Sequence, residues 1–261
     1  MYAELTKLIH SVGQPHLRRL LDRFFVEDKD FAKRFKFHSA AKSVHHGFVG
    51  GLLEHTLSVA KHCSYFASVY PILNRDLLVT AGIFHDIGKL EELSTFPEND
   101  YTDAGQLLGH IMIGTEMIGE RIRAIPGFPK GLANELKHCI LAHHGELEYG
   151  SPKKPALAEA LALTFADNVD AKMESIREIF ANVPEHNLEW QGYNRLLESN
   201  IRRSGREERV KNKQLAARTG LLILDNISER KECTSNLPGK FDVQTSFPVA
   251  FLNSCLMDER G

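Results

Sequence analysis

The apolar positions of this chain recur at helical intervals over most of its length. Between Gly50 and Tyr70, the residues Leu52, Leu53, Leu57, Val59, Ala60, Cys63, Phe66, Ala67 and Tyr70 fall on one stripe of a helix of about five turns. Pro71 ends it. A second helix is predicted from Arg75 to Ile87, with Leu77, Leu78, Ala81 and Phe84 inward and Gly88 as its end or kink. After the polar connection STFPENDYTDAG a third runs from about Leu107 to Ile122. A fourth covers Gly131 to His144, and a longer fifth covers Ala156 to about Phe180 after the resetting loop SPKKP. The first 37 residues read as short helices, with Phe24, Phe25, Phe31, Phe35 and Phe37 serving packing rather than base stacking. Alternation of β-branched residues is nearly absent before residue 200, and FDVQTSFPVAF reads as a strand or an extended tail. The predicted fold is all-α: a helical bundle over 38–203, a short helical N-terminal extension over 1–37, and an irregular C-terminal appendage over 204–261.

Composition narrows the functions. The chain has 261 residues, 43% hydrophobic and 25% charged, which excludes disorder and collagen-like structure. With 32 Lys and Arg against 34 Asp and Glu there is no global basic field, so contact with a polyanion must rest on a local patch. One candidate is Arg202 to Arg218, with seven basic and two acidic residues, which reads as an RNA-contacting segment or as a solvated helix. Arg202, Arg203, Arg206, Arg209, Lys211 and Lys213 are its candidate contacts. Cys63, Cys139, Cys233 and Cys255 form no CxxC pair and read as reduced thiols. No stretch approaches a signal peptide or a membrane span, so a cytoplasmic location without membrane contact is expected.

The chemistry gathers in the middle. Ten of the 13 histidines lie between His38 and His144. His85 and Asp86 adjoin in FHDIGK. Neighbours on a helix diverge by about 100°, so both reach one metal only at a helix end, which Gly88 supplies. His55 stands one helix earlier in GGLLEHT, and Asp167 lies within the apolar helix LALTFADNVDAK, where a buried carboxylate requires a cation or a donor network. His55, His85, Asp86 and Asp167 make a mixed nitrogen and oxygen set. It suits Mn²⁺, Fe²⁺, Co²⁺, Ni²⁺ or Zn²⁺, since no thiolate is offered and the all-oxygen cage of Ca²⁺ is absent.

In this order across successive helices, the four residues resemble the first-metal ligands of the HD-domain superfamily of metal-dependent phosphohydrolases. HHGFVGGLLEHT, AGIFHDIGKLEEL, YTDAGQLLGHI, LAHHGELEYGSPKKP and FADNVDAKM more narrowly resemble the HD portion of YhaM-type 3′–5′ exoribonucleases, over about residues 1 to 203. The resemblance implies an HD-type helical bundle and a site for one or two divalent transition-metal ions. His110 and His143 are the further ligands it implies, with Asp86 bridging and water as the nucleophile. His144 is placed next to the ligands or on the substrate, and Asp170, three residues after Asp167, behind them or in a salt bridge with Lys172 or Lys153. Lys89 would neutralise a phosphate oxygen or be a solvated lysine. His45 and His46 would serve the phosphate or a structural hydrogen bond. His62 and His138 read as packed or surface histidines, and Asp103 and Glu92 only as possible acids on the substrate side.

Three functions follow. The first is a metal-dependent phosphodiesterase with 3′–5′ exoribonuclease-like activity on single-stranded RNA or oligonucleotides. The second is the same chemistry on a small nucleotide or cyclic dinucleotide, because the fold does not choose the substrate. The third, a non-catalytic metal-containing binding protein, is disfavoured by the completeness of the ligand set. One departure bears on the choice. YhaM-type proteins carry an OB-like domain ahead of the HD portion, whereas 44 residues precede His45 here. Either the basic segment substitutes for it, or the substrate is smaller.

Overall fold

Side-chain caps set four helix starts in this computed structural model, which describes residues 1–42 and 47–205. Helix α1 spans Tyr2–His10. Gln14 accepts from the Leu17 N–H to open α2, Pro15–Asp22, with Pro15 at the position where its missing N–H costs nothing. A π-helical turn, Arg23–Glu27, leads to Asp28, which caps α3, Lys29–Phe37. Helix α4, Gly51–Val69, starts after Gly50, whose φ of 88° suits glycine. Asn74 caps α5, Arg75–Phe84. After α6, Lys89–Glu92, Thr102 caps α7, Asp103–Arg123. Helices α8, Lys130–Leu141, and α9, Ala158–Ala181, follow. A two-stranded antiparallel hairpin pairs β1, Tyr193–Asn194, with β2, Ser199–Asn200. The all-α class is borne out.

Helix α5 lies at the centre, and every residue from Leu77 to Phe84 is buried. It packs against α4, α8 and α9, and α4 also meets α3 and α9, so one core joins the N-terminal helices to the rest. Phe24, Phe25, Phe31 and Phe35 form an edge-to-face cluster reaching Phe84, as their packing role requires. Phe37 is a correction: it is 61% exposed, because the buried face of α3 runs through Phe31, Ala32 and Phe35 and leaves the last residue outside.

Three boundaries differ from the sequence reading, each beside the candidate site. Helix α5 ends at Phe84, three residues early. The chain tightens there into three-residue hydrogen bonds, such as Lys89 N–H to Asp86 O at 3.0 Å, before resuming as α6. Helix α7 begins at Asp103, four residues early, and is broken at Gly109, whose φ of 71° and ψ of 159° are not helical. Helix α8 stops at Leu141, so His143 and His144 stand in the turn beyond it. FDVQTSFPVAF lies outside the described residues. Among the described residues, no helix is long and apolar enough to cross a membrane.

Candidate metal centre

Five segments bring the titratable groups together. His55 stands on α4, one turn after Gly51. His85, Asp86 and Lys89 occupy the tightened turn between α5 and α6 and its continuation. His110 opens the second half of the broken α7, His143 and His144 follow α8, and Asp167 and Asp170 lie on α9. His55, His85, Asp86 and His143 are buried, as is Asp170.

Each of the five histidines has its Nδ1 engaged by an oxygen that can only accept. His55 donates to Asp170 Oδ2 at 2.7 Å, and His85 to Gly82 O at 2.9 Å. His110 donates to Glu92 Oε1 at 2.9 Å, His143 to Ile140 O at 2.8 Å and His144 to Tyr149 O at 2.7 Å. A neutral imidazole carries one N–H, so in the neutral ring these partners leave each Nε2 as the lone-pair nitrogen that a cation would take. The lone pairs converge. His55, His85 and Asp167 offer three ligand atoms within 4.8 Å of one another, and so do His110, His143 and His144.

Asp86 stands between the two groups. Its Oδ2 lies 3.3 Å from His55 Nε2 and 3.4 Å from His85 Nε2, and its Oδ1 lies 3.5 Å from His110 Nε2 and 3.9 Å from His143 Nε2. One carboxylate thus faces both clusters, an oxygen to each. His55 Nε2 is also 3.2 Å from Asp167 Oδ1 and 3.0 Å from His85 Nε2. Acceptors this close repel unless positive charge lies among them. Among the described residues the buried Nε2 atoms of His110 and His143 have no hydrogen-bond partner, a costly state that a cation relieves. The donor set therefore fits a divalent metal and contains no thiolate.

The titration behaviour has the same origin. Burial opposes a charge on His55, yet hydrogen bonds to Asp167, Asp170 and Asp86 hold its pKa well above the ordinary histidine value. Burial also opposes ionisation of Asp86, but Lys89 and His85 beside it keep its pKa well below the usual carboxylate range. Asp167 is lowered too, by His55 and His85 against the effect of burial. Burial and the neighbouring His144 and His85 push His143 far down, so it stays neutral and able to ligate. Lys89 Nζ lies 2.7 Å from Asp86 Oδ2, and that carboxylate outweighs burial and raises the lysine pKa, keeping the ammonium charged.

His55, His85, Asp86, His110, His143, His144 and Asp167 are thus brought to one place, with Lys89 at its edge. Asp170 sits behind His55. Glu92 is the residue the sequence reading undervalued: a single oxygen, Oε1, accepts both the Nδ1–H and the backbone N–H of His110. The only signal was the glycine preceding a histidine in LLGHI, where a helix break exposes a backbone N–H. Asp103 is exposed at the start of α7. His138 accepts from the Ala156 N–H at 2.8 Å, a structural role. Arg202 and Arg203 donate to Leu188 O and Phe180 O, at 2.5 and 2.7 Å. His45, His46, Arg206, Arg209, Lys211 and Lys213 lie outside the described residues.

Comparison with known proteins agrees with this geometry. The model of the HD domain family matches residues 52–172. A protein named 3′-5′ exoribonuclease YhaM from Geobacillus sp. (strain WCH70) is 39% identical over 180 residues, which cover 67% of this chain and 53% of that protein. Its namesakes from Bacillus velezensis and Bacillus subtilis are 41% and 40% identical over 175 residues, 66% of this chain and 54% of each relative. The chain thus spans about half the length of the curated relatives it matches. No solved structure matches it.

Proposed function

Residues 52–172 belong to the HD domain family, and from that membership we propose that the protein is a metal-dependent phosphodiesterase that removes nucleotides from the 3′ end of single-stranded RNA. The observation that carries the reading is the convergence of five Nε2 lone pairs and the Asp167 carboxylate around Asp86, whose two oxygens face separate clusters. His55, His85 and Asp167 would hold one ion and His110 and His143 a second, with His144 beside them and Asp86 shared. Mn²⁺, Fe²⁺, Co²⁺, Ni²⁺ and Zn²⁺ all suit these donors. Such ions supply charge that polarises a phosphoryl oxygen and acidifies a water molecule.

The chain's own residues do the rest. Asp86 orients both clusters, and Asp170 and Glu92 lock the tautomers of His55 and His110. Lys89, held charged beside Asp86, is placed to neutralise a non-bridging phosphate oxygen as charge develops there. RNA as substrate rests on the named relatives. A second reading, the same hydrolysis on a small nucleotide or cyclic dinucleotide, is favoured by the fact that this ligand set contains no group dedicated to reading a base.

Metal content and hydrolysis of bis-p-nitrophenyl phosphate, measured together, test the chemistry. Asp86→Ala should abolish turnover and strip the metal. Lys89→Ala should retain the metal and lose about 10²- to 10³-fold in kcat, the usual cost of removing one such charge. Turnover surviving in Asp86→Ala contradicts the scheme.

A further inference from the structure

Phe37, the N-terminal phenylalanine that does not pack, borders a cleft of about 470 Å³ that none of the metal-site residues lines. The cleft lies between α3, the segment after it, Val49 just ahead of α4 and residues 94–96, with Lys33, Arg34, Phe37, Thr95 and Phe96 among its other walls. Two aromatic side chains are open to solvent there, Phe37 at 61% and Phe96 at 39%. They stand beside cations. Of the charged residues of α3, Lys33, Arg34 and the single acid Asp30 line the cleft, a net positive wall. Arg34 is fixed by Leu90 O at 2.8 Å and Glu91 Oε1 at 2.7 Å, while Lys33 has no carboxylate partner among the described residues. Ser39, Ser94 and Thr95 add neutral hydrogen-bonding groups.

The walls are tied together. The Asn99 amide donates to Ala41 O at 3.1 Å and Lys42 O at 3.0 Å, and His38 Nε2 lies 3.2 Å from Leu93 O. The cleft is therefore preformed, and its volume is in the range of a small-ligand or nucleotide site. Its chemistry selects the class of partner. Exposed aromatic faces take up bases, and an unpaired lysine beside them neutralises backbone phosphate, which is the combination that binds single-stranded nucleic acid. An apolar peptide would leave Lys33 unused, and a polyphosphate would leave the two rings unused.

The cleft is built on the elements that carry the metal centre. Val49 lies two residues ahead of α4, the helix that bears His55, and Thr95 follows Glu92, the partner of His110, by three residues. In removal of nucleotides from a 3′ end, the strand left outside the reacting site is the part on the 5′ side. We infer that this cleft holds that part of a single-stranded RNA, with Phe37 and Phe96 stacking on bases and Lys33 on a phosphate. The inference rests on the RNA reading above and supplies the base-contacting surface that the metal ligands lack.

The test is equilibrium binding by the Mn²⁺-loaded full chain. The probe is a 5′-fluorescein RNA of about ten nucleotides, with hydrolysis-resistant phosphonate linkages at its 3′ end, followed by anisotropy. Phe37→Ala and Phe96→Ala should each weaken binding about 5- to 100-fold, Phe37→Tyr should restore it, and an abasic strand of equal length should bind less well than the RNA. Lys33→Gln should weaken binding and flatten its salt dependence by about 0.7 in the log–log slope. Phe37 and Lys33 lie at the surface, so these changes leave the core intact. Unchanged affinity in Phe37→Ala, equal binding of the abasic strand, or no binding by the parent overturns the inference. Hydrolysis of bis-p-nitrophenyl phosphate by the parent protein reports on the metal chemistry alone, so failure of that chemistry and failure of the cleft are seen separately.

Discussion

Five imidazoles with the same tautomer, each fixed from behind by a carbonyl or carboxylate, make the strongest argument at the scale of single residues. The outer partner matters as much as the ring: without Asp170, His55 could place its proton on Nε2 and lose its inward lone pair, and without Glu92 the same holds for His110. Asp170→Ala and Glu92→Ala should each weaken metal binding by about 10- to 100-fold, the ordinary effect of deleting such a partner. Calorimetric titration with Mn²⁺ measures it, and an unchanged affinity in either variant would show that the ring is held by other contacts. Glu92→Ala also exposes the His110 N–H that the carboxylate accepts, so this variant should additionally loosen the second half of α7.

At the scale of elements, the periodicity located α4, α5, α7, α8 and α9 because each buries one consistent stripe, and prolines and capping residues punctuated them. The candidate ligands in HD and in FADNVDAK stand out in the sequence for a related reason: a carboxylate on an apolar helix contrasts with its surroundings. Of the breaks that aim those residues, the sequence marks only the one at Gly88, and places it three residues late. LLGHIMIG reads as uninterrupted helix, and its break at Gly109 depends on a carboxylate, Glu92, that is 17 residues earlier in sequence and adjacent only in space. The stop of α8 before His143 and the tightened turn at His85 are likewise set by tertiary packing. Gly88 shows how close that packing is, since a Cβ there would lie 2.0 Å from the carbonyl oxygen of His110. Gly88→Ala must therefore displace α7, at about 1–3 kcal/mol for overpacking, and a thermal melt should show Tm falling by several degrees with metal affinity falling alongside. Gly131→Ala, with nothing within 4 Å of the new methyl group, is the matched control and should melt at or above the parent. Equal melting of the two variants would contradict the close contact between the α5–α6 turn and α7.

Across the whole molecule, the candidate metal centre draws its residues from elements otherwise joined by a continuous apolar core running from α1 to α9. Carboxylates and lone pairs are gathered there against their mutual repulsion, so a bound cation stabilises the native arrangement and has no equivalent site in the unfolded chain. At about 100 times Kd, mass action gives roughly 2.7 kcal/mol, which for a domain of this size corresponds to a Tm rise of about 5–10 °C. Scanning calorimetry with Mn²⁺ and after chelation should show that difference in the parent and none in Asp86→Ala; an equal shift in both would place the stabilising ion elsewhere. The family's fold leaves the substrate open, and the most direct measurement is therefore made on RNA itself. Mn²⁺-loaded protein is incubated with a 5′-labelled single-stranded RNA and the products are resolved by length, with Asp86→Ala in parallel. A ladder shortening from the 3′ end and absent from the variant is expected of a 3′–5′ exoribonuclease; intact RNA beside complete hydrolysis of bis-p-nitrophenyl phosphate would contradict that function and assign the site to a smaller phosphoester.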